Sequence, residues 1–139
     1  LIEFEPKSHK TDIAQALKFL SSTQKKKAIV FVISDFISED YEHTLKIASK
    51  KHDITGIRVY DIREEKMPNL GMVSMLDAET GEIQLINTGS KSVRINYEKY
   101  YQEKLKYFKE TFSKSGAGVV NTRVDESYVT KLLGYFKSR

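Results

Sequence analysis

The stretch that most limits what this chain can fold into is Ala28–Phe36, AIVFVISDF. Six apolar residues run without a break from Ala28 to Ile33, four of them β-branched, and the run stops at Ser34 and Asp35. A short apolar run without alternation, rich in Val, Ile and Phe, reads as a central parallel strand covered on both faces. In open α/β sheets ligands gather at the carboxyl ends of such strands. Asp35 therefore stands where a working carboxylate would stand, although a plain turn residue leading into the next helix would read the same way.

The flanking sequence supplies the partners of such a strand. Thr11 and Asp12 open a helix in which Ile13, Ala16, Leu17 and Leu20 form an apolar stripe. Thr11 is expected as its N-cap and Asp12 in its first turn, at the positive end of the dipole, with the helix fading across Ser21–Thr23. Ser38, Glu39 and Asp40 announce a second helix, Tyr41 to about Lys51, with Leu45 and Ala48 inward. DITGIRVY, Asp53–Tyr60, reads as a second strand that ends in Asp61, with Arg63 just beyond. A structural ion pair is the bland reading of those last two.

Alternating helices and strands with short connections argue for an α/β sheet of parallel strands. The pattern then changes: Met72–Leu76 and Glu82–Ile86 flank the turn residues Asp77, Thr80 and Gly81 and predict an antiparallel hairpin. The longest helix should follow, Ser90 to about Lys114. Its stripe of Val93, Tyr97, Tyr101, Leu105, Phe108 and Phe112 reads as core rather than as a cofactor box. Gly116 suits its C-cap, which removes Gly116-Ala-Gly118 from consideration as a phosphate loop. Gly118–Thr122 is a third short strand. Asp125 is expected to cap the last helix, with Val129, Leu132, Leu133 and Phe136 inward.

A chain of 139 residues with 40% hydrophobic content holds one ordinary core. Its 23 basic and 19 acidic residues are mixed along the chain, and the one compact cluster, Lys25–Lys27, suits a solvated loop. Without a one-sided basic stripe or an aromatic platform motif, no nucleic-acid partner is expected. Cysteine is absent, which excludes disulfides, thiol nucleophiles and thiolate metal sites and fits a reducing compartment, the cytoplasm. No apolar run approaches the roughly 18 residues of a membrane helix, so no membrane contact is expected of this stretch. The chain opens on Leu1 rather than Met and reads as a piece of something longer.

Most catalytic arrangements are missing. His9, His43 and His52 lack metal-ligand spacing, Ser34 is not in a GxSxG elbow, and there is no P-loop. Oxygen chemistry on one sheet edge remains: Thr11 and Asp12 at a helix start, Ser34 and Asp35 at one strand end, Asp61 at the next. Hydroxyl and carboxylate oxygens suit a hard cation, above all Mg²⁺. Two strand-end carboxylates could equally serve acid–base work or accept a phosphoryl group.

The series TDIAQAL, AIVFVISDF, KKHDITGIRVYDIREE, a DAETGE hairpin and a long charged helix resembles the C-terminal part of the domain of unknown function 58 family. That family is similar to von Willebrand factor A domains, and the resemblance spans nearly the whole chain. It implies a partial Rossmann-like, von Willebrand A-like three-layer α/β fold: a mainly parallel sheet with an inserted β-hairpin, residues 1–139 being the C-terminal portion of one domain. The metal-ion-dependent adhesion site of that fold combines a DxSxS after the first strand, a Thr before a helix and an Asp after the fourth strand. Thr11 matches the second piece and Asp35 the third. No DxSxS occurs in this chain and it would lie upstream of Leu1, so the resemblance implies no cofactor in this stretch. Mg²⁺ is implied only for a full-length protein that carries the missing motif.

The function so implied is a non-catalytic protein–protein interaction module working with a MoxR-type AAA+ ATPase, its partner-binding rim formed by Asp12, Ser34, Asp35, Asp61 and Arg63. The alternative is a Mg²⁺-dependent phosphoryl-transfer or hydrolytic enzyme using Asp35 and Asp61. The A-domain sheet has the order 3-2-1-4-5-6, of which this chain would hold only the 4-5-6 half. The Ala28–Ile33 strand then has a bare apolar edge, which invites self-association unless Leu1–Phe4 folds back onto it.

Overall fold

The structure, a computed structural model, describes residues 11–76 and 81–138. Helix α1 (Ile13–Thr23) leads into β1 (Ile29–Ser34), α2 (Glu42–Lys51) and β2 (Asp53–Tyr60). A 3₁₀ turn at Ile62–Glu64 precedes the hairpin of β3 (Met72–Leu76) and β4 (Ile83–Asn87). Helix α3 (Lys91–Lys114), β5 (Gly118–Arg123) and α4 (Tyr128–Lys137) complete the fold. The main sheet has the order β1-β2-β5, all parallel, and β3-β4 forms a separate antiparallel ladder. This is the α/β architecture expected, with the three strands in the order of half a doubly wound sheet. The hairpin turn expected at Asp77–Thr80 lies outside the described residues.

The pairing sorts the side chains by face, because residues level with one another in a parallel sheet point the same way. Val30 and Val32 of β1, Ile54 and Gly56 of β2 and Val119 of β5 share the inner face. Against it pack Ile13 and Leu17 from α1, Leu45 and Ala48 from α2 and Phe108 and Phe112 from α3. Gly56 is required there: a Cβ would lie 2.5 Å from Phe112 Cε1 and 2.9 Å from Phe108 Cε2. The absent side chain lets two aromatic rings lie directly on the strand.

The outer face is thinly covered. Helix α4 is pinned to it where the Tyr135 hydroxyl meets Thr55 Oγ1 at 3.0 Å and where the rings of Phe31 and Phe136 meet edge to face at 6.0 Å. Ile29 and Ile33 remain 68% and 67% exposed. The strand covered on both faces is thus β2, and β1 is an edge strand with one open face, which corrects the reading of Ala28–Phe36 as a central, doubly covered strand. The apolar run records that both faces want a cover, and the described residues supply one.

Four local expectations are also corrected. Asp12, not Thr11, is the N-cap of α1, its carboxylate accepting from the Gln15 amide at 2.8 Å, and the helix runs on through Ser21–Thr23. Those three hydroxyls donate back to carbonyls of Leu17 and Phe19, so they continue the helix instead of ending it. Ser127 caps α4, whereas Asp125 is taken by a two-pronged pair with Arg123 at 2.8 and 3.0 Å. On α4 itself Val129, Leu133 and Phe136 are about half exposed, so its apolar stripe is not a buried one. The stripe of α3 is inward as read, and Gly116, at φ +69°, closes that helix with Ala117 donating to the Phe112 carbonyl at 3.0 Å.

Candidate functional site

At the carboxyl end of β1 the chain enters a seven-residue connection that is locked from below. Phe36 has φ +58°, a left-handed conformation that costs a non-glycine residue about 1–3 kcal/mol. Burial holds it there: the ring is 1% exposed and stacks on Phe108 with centroids 4.1 Å apart. The inversion at Phe36 turns its two neighbours outward. The Asp35 carboxylate accepts from the Ser34 hydroxyl and the Ile37 amide, each at 3.2 Å through Oδ1, while the Phe36 amide donates to Ser34 Oγ at 3.1 Å. The second Asp35 oxygen has no partner among the described residues, and Asp35 is exposed.

Two further contacts fix this connection to the helices. The Ser38 hydroxyl donates to the Thr11 carbonyl at 3.4 Å, which sets the start of α1 beside the Asp35 loop. Lys104 of α3, only 11% exposed in its side chain, pairs with Glu39. Burial alone would lower the Lys104 ammonium, but the Glu39 hydrogen bond and charge, with Tyr100, outweigh it and hold the lysine above its ordinary value. Below the rim Arg58, level with Ser34 in the register, is 4% exposed, lies 4.1 Å over the Tyr60 ring and donates to the Tyr101 hydroxyl. Burial raises the Tyr101 phenol, with Arg58 acting against it.

Of the residues singled out in the sequence, Thr11 and Asp12 stand at the start of α1 and Ser34 and Asp35 at the end of β1, and the Ser38–Thr11 contact links the two segments. Freed from capping, Thr11 is exposed next to the Asp35 loop. Asp61 is on the same edge at the end of the neighbouring strand, but its carboxylate caps the 3₁₀ turn by accepting from the Arg63 amide at 2.9 Å. That backbone contact replaces the expected ion pair. Arg63 lines a different place, a cleft against the hairpin.

As donors for Mg²⁺, Thr11 and Asp35 fit in kind and fall short in number, two residues against the six oxygen positions the ion fills. Among the described residues no three His, Cys, Asp or Glu side chains converge. Sequence reasoning did not reach Phe36, Ser38, Glu39 or Lys104. An unfavourable φ leaves no mark in composition, and Lys104 sits on a helix whose other lysines face water.

Residues 1–107 match the family described as protein of unknown function DUF58. The chain belongs to this family. Uncharacterized protein MAV169 of Mycobacterium avium is 25% identical over 129 residues, covering 92% of this chain and 76% of that protein. Uncharacterized protein Rv1480 of Mycobacterium tuberculosis is 22% identical over 135 residues, and this chain spans 42% of its length. A solved structure, the conserved hypothetical protein BatB from Bacteroides thetaiotaomicron, aligns over 92% of this chain and 58% of its own at 16% identity, with a TM-score of 0.42.

Proposed function

We propose that this DUF58 chain is a non-catalytic interaction module that docks a protein partner, a MoxR-type AAA+ ATPase, on the carboxyl-end rim of its sheet. The observation that carries the reading is the Asp35 loop: a strained, buried Phe36 presents an exposed carboxylate with one oxygen unused. Strain kept at a surface turn is what a preset binding surface requires. A phosphoryl-transfer site would draw on a Lys or Arg clamp, and no such side chain pairs with Asp35 or Asp61 among the described residues. An ATP-hydrolysing partner puts the module in the cytoplasm.

The reading is tested by measuring affinity of the cognate ATPase for the wild type and Asp35→Ala, with and without chelator. Asp35→Ala should weaken binding about tenfold or more, the loss expected on removing a central polar anchor. A chelator effect is expected only in a full-length protein with the DxSxS motif. Equal affinities for wild type and variant overturn the rim as docking surface. The alternative, Mg²⁺-dependent phosphoryl transfer or hydrolysis, predicts turnover of a generic phosphate ester that Asp35→Asn abolishes.

A second surface rests on a separate observation. The outer edge of β1 has no strand beside it among the described residues, and its open face carries Ile29, Phe31 and Ile33. Unpaired backbone groups on an apolar strand are a template for another chain. Self-association of two copies through antiparallel β1 edges satisfies those groups about a two-fold axis. A monomer in sedimentation with fast amide exchange along Ile29–Ile33 contradicts it.

A further inference from the structure

The hairpin is the part of the molecule that the rim does not use. An isolated two-stranded ladder is marginal in water, yet this one is held firmly at its base. The Thr88 side chain, 2% exposed overall, accepts from the Leu70 amide at 2.9 Å and donates to the Gly71 carbonyl at 2.8 Å. Arg94 of α3 donates to the carbonyls of Thr88 and Gly89 at 2.6 and 2.9 Å. Above that base Met72, Leu76, Ile83 and Leu85 are 57–72% exposed. The strands are fastened, and their apolar side chains are left to solvent.

A cleft of about 250 Å³ opens between the hairpin, the segment after the 3₁₀ turn and Tyr97 of α3. Three consecutive residues of β3, Val73, Ser74 and Met75, line it, and no residue of β4 does. Val73 and Met75 share one face of the strand, so the cleft lies against β3, with Thr88 just past β4 at its base and the outer edge of β3 beside it. That edge is unpaired among the described residues. Met67 and Met75 give the cleft adaptable apolar walls. Arg63 also lines the cleft, exposed, with only its backbone amide engaged and no carboxylate paired to its guanidinium among the described residues.

We infer that this cleft takes an extended peptide segment of a protein partner as a third strand beside β3, one apolar side chain filling the cleft and a neighbouring Asp or Glu pairing with Arg63. The main-chain ladder supplies affinity, and the cleft with its single cation supplies the choice of sequence. A guanidinium fits a carboxylate in a two-pronged geometry that a lone ammonium does not. The inference rests on the reading of the chain as an interaction module and adds a second contact beside the rim, for a strand-like rather than a globular part of the partner.

The probe is a displayed library of random octapeptides selected against the 139-residue chain and counter-selected against Arg63→Glu. Enriched peptides should alternate apolar residues with an Asp or Glu next to one of them. A synthetic representative should bind about tenfold more weakly to Arg63→Glu, as for loss of one charge-assisted pair, and a Lys-for-Asp version should regain binding to that variant. Binding should slow amide exchange at Val73–Met75. Enrichment with no acidic preference, or binding indifferent to both charge changes, overturns the inference. Its failure is separable from that of the rim: an ATPase complex lost in Asp35→Ala but unchanged in Arg63→Glu removes the cleft and leaves the module.

Discussion

The two faces of one three-stranded sheet have been treated in opposite ways. The inner face is closed by three helices, with Gly56 kept bare so that Phe108 and Phe112 rest on the strand. Among the described residues the outer face has a single helix, α4, with half-exposed Val129, Leu133 and Phe136 beside open Ile29 and Ile33. Apolar content is similar on both, so hydrophobicity alone does not decide which surface becomes core. Coverage does. Among the described residues the inner face is closed, and the outer face of β1 stays open.

The sharpest break of this comparison is Phe108→Ala, which should cost about 3–5 kcal/mol in urea denaturation, the range for emptying a large aromatic site. Gly56→Ala overpacks the same place and should cost about 1–3 kcal/mol or more, because both rings approached by the new methyl are themselves buried. On the other face Gly118→Ala puts a Cβ 1.7 Å from the Tyr135 hydroxyl and should loosen α4. Its cost should be about 1–3 kcal/mol and should shrink in a Tyr135→Ala background, a coupling read by a double-mutant cycle.

Lys104→Met should cost about 1 kcal/mol or less, since Glu39 is largely in water and screened. Because the folded lysine titrates above its ordinary value, the pair's contribution is complete below the unfolded lysine pKa. It is lost as pH rises through the raised folded value, so wild type and variant should converge in stability in strong base. The smallest effect is Ile33→Asp, which should change stability by about 0.5 kcal/mol or less at an exposed position. The same substitution should abolish self-association in sedimentation if the β1 edge is the contact.

Much of this arrangement was legible in the residues. The strand Asp53–Tyr60 and the inward stripe of α3 follow from periodicity, and the left-handed closure at Gly116 from one glycine. The order of the motifs gave Thr11 and Asp35 a common edge, and the Ser38–Thr11 contact joins the start of α1 to the connection that follows β1. What sequence could not separate was demand for cover from its supply: β1 and α4 have the composition of buried elements and are half exposed. Nor could it see which of two adjacent cap formers, Thr11 or Asp12, wins. The carboxylate reaches the Gln15 amide, which releases the threonine to the rim. The left-handed Phe36 was equally hidden, because its conformation is imposed by Phe108, distant in the chain.

The rim, rather than the apolar outer face, is the surface proposed for the ATPase, and amide hydrogen exchange of the chain with and without that proposed partner compares them in one experiment. Protection concentrated at Ser34–Glu39, with the amides of α4 unchanged, is the predicted result. Protection along α4 and β1 with the Asp35 loop exchanging as in the free chain would contradict it.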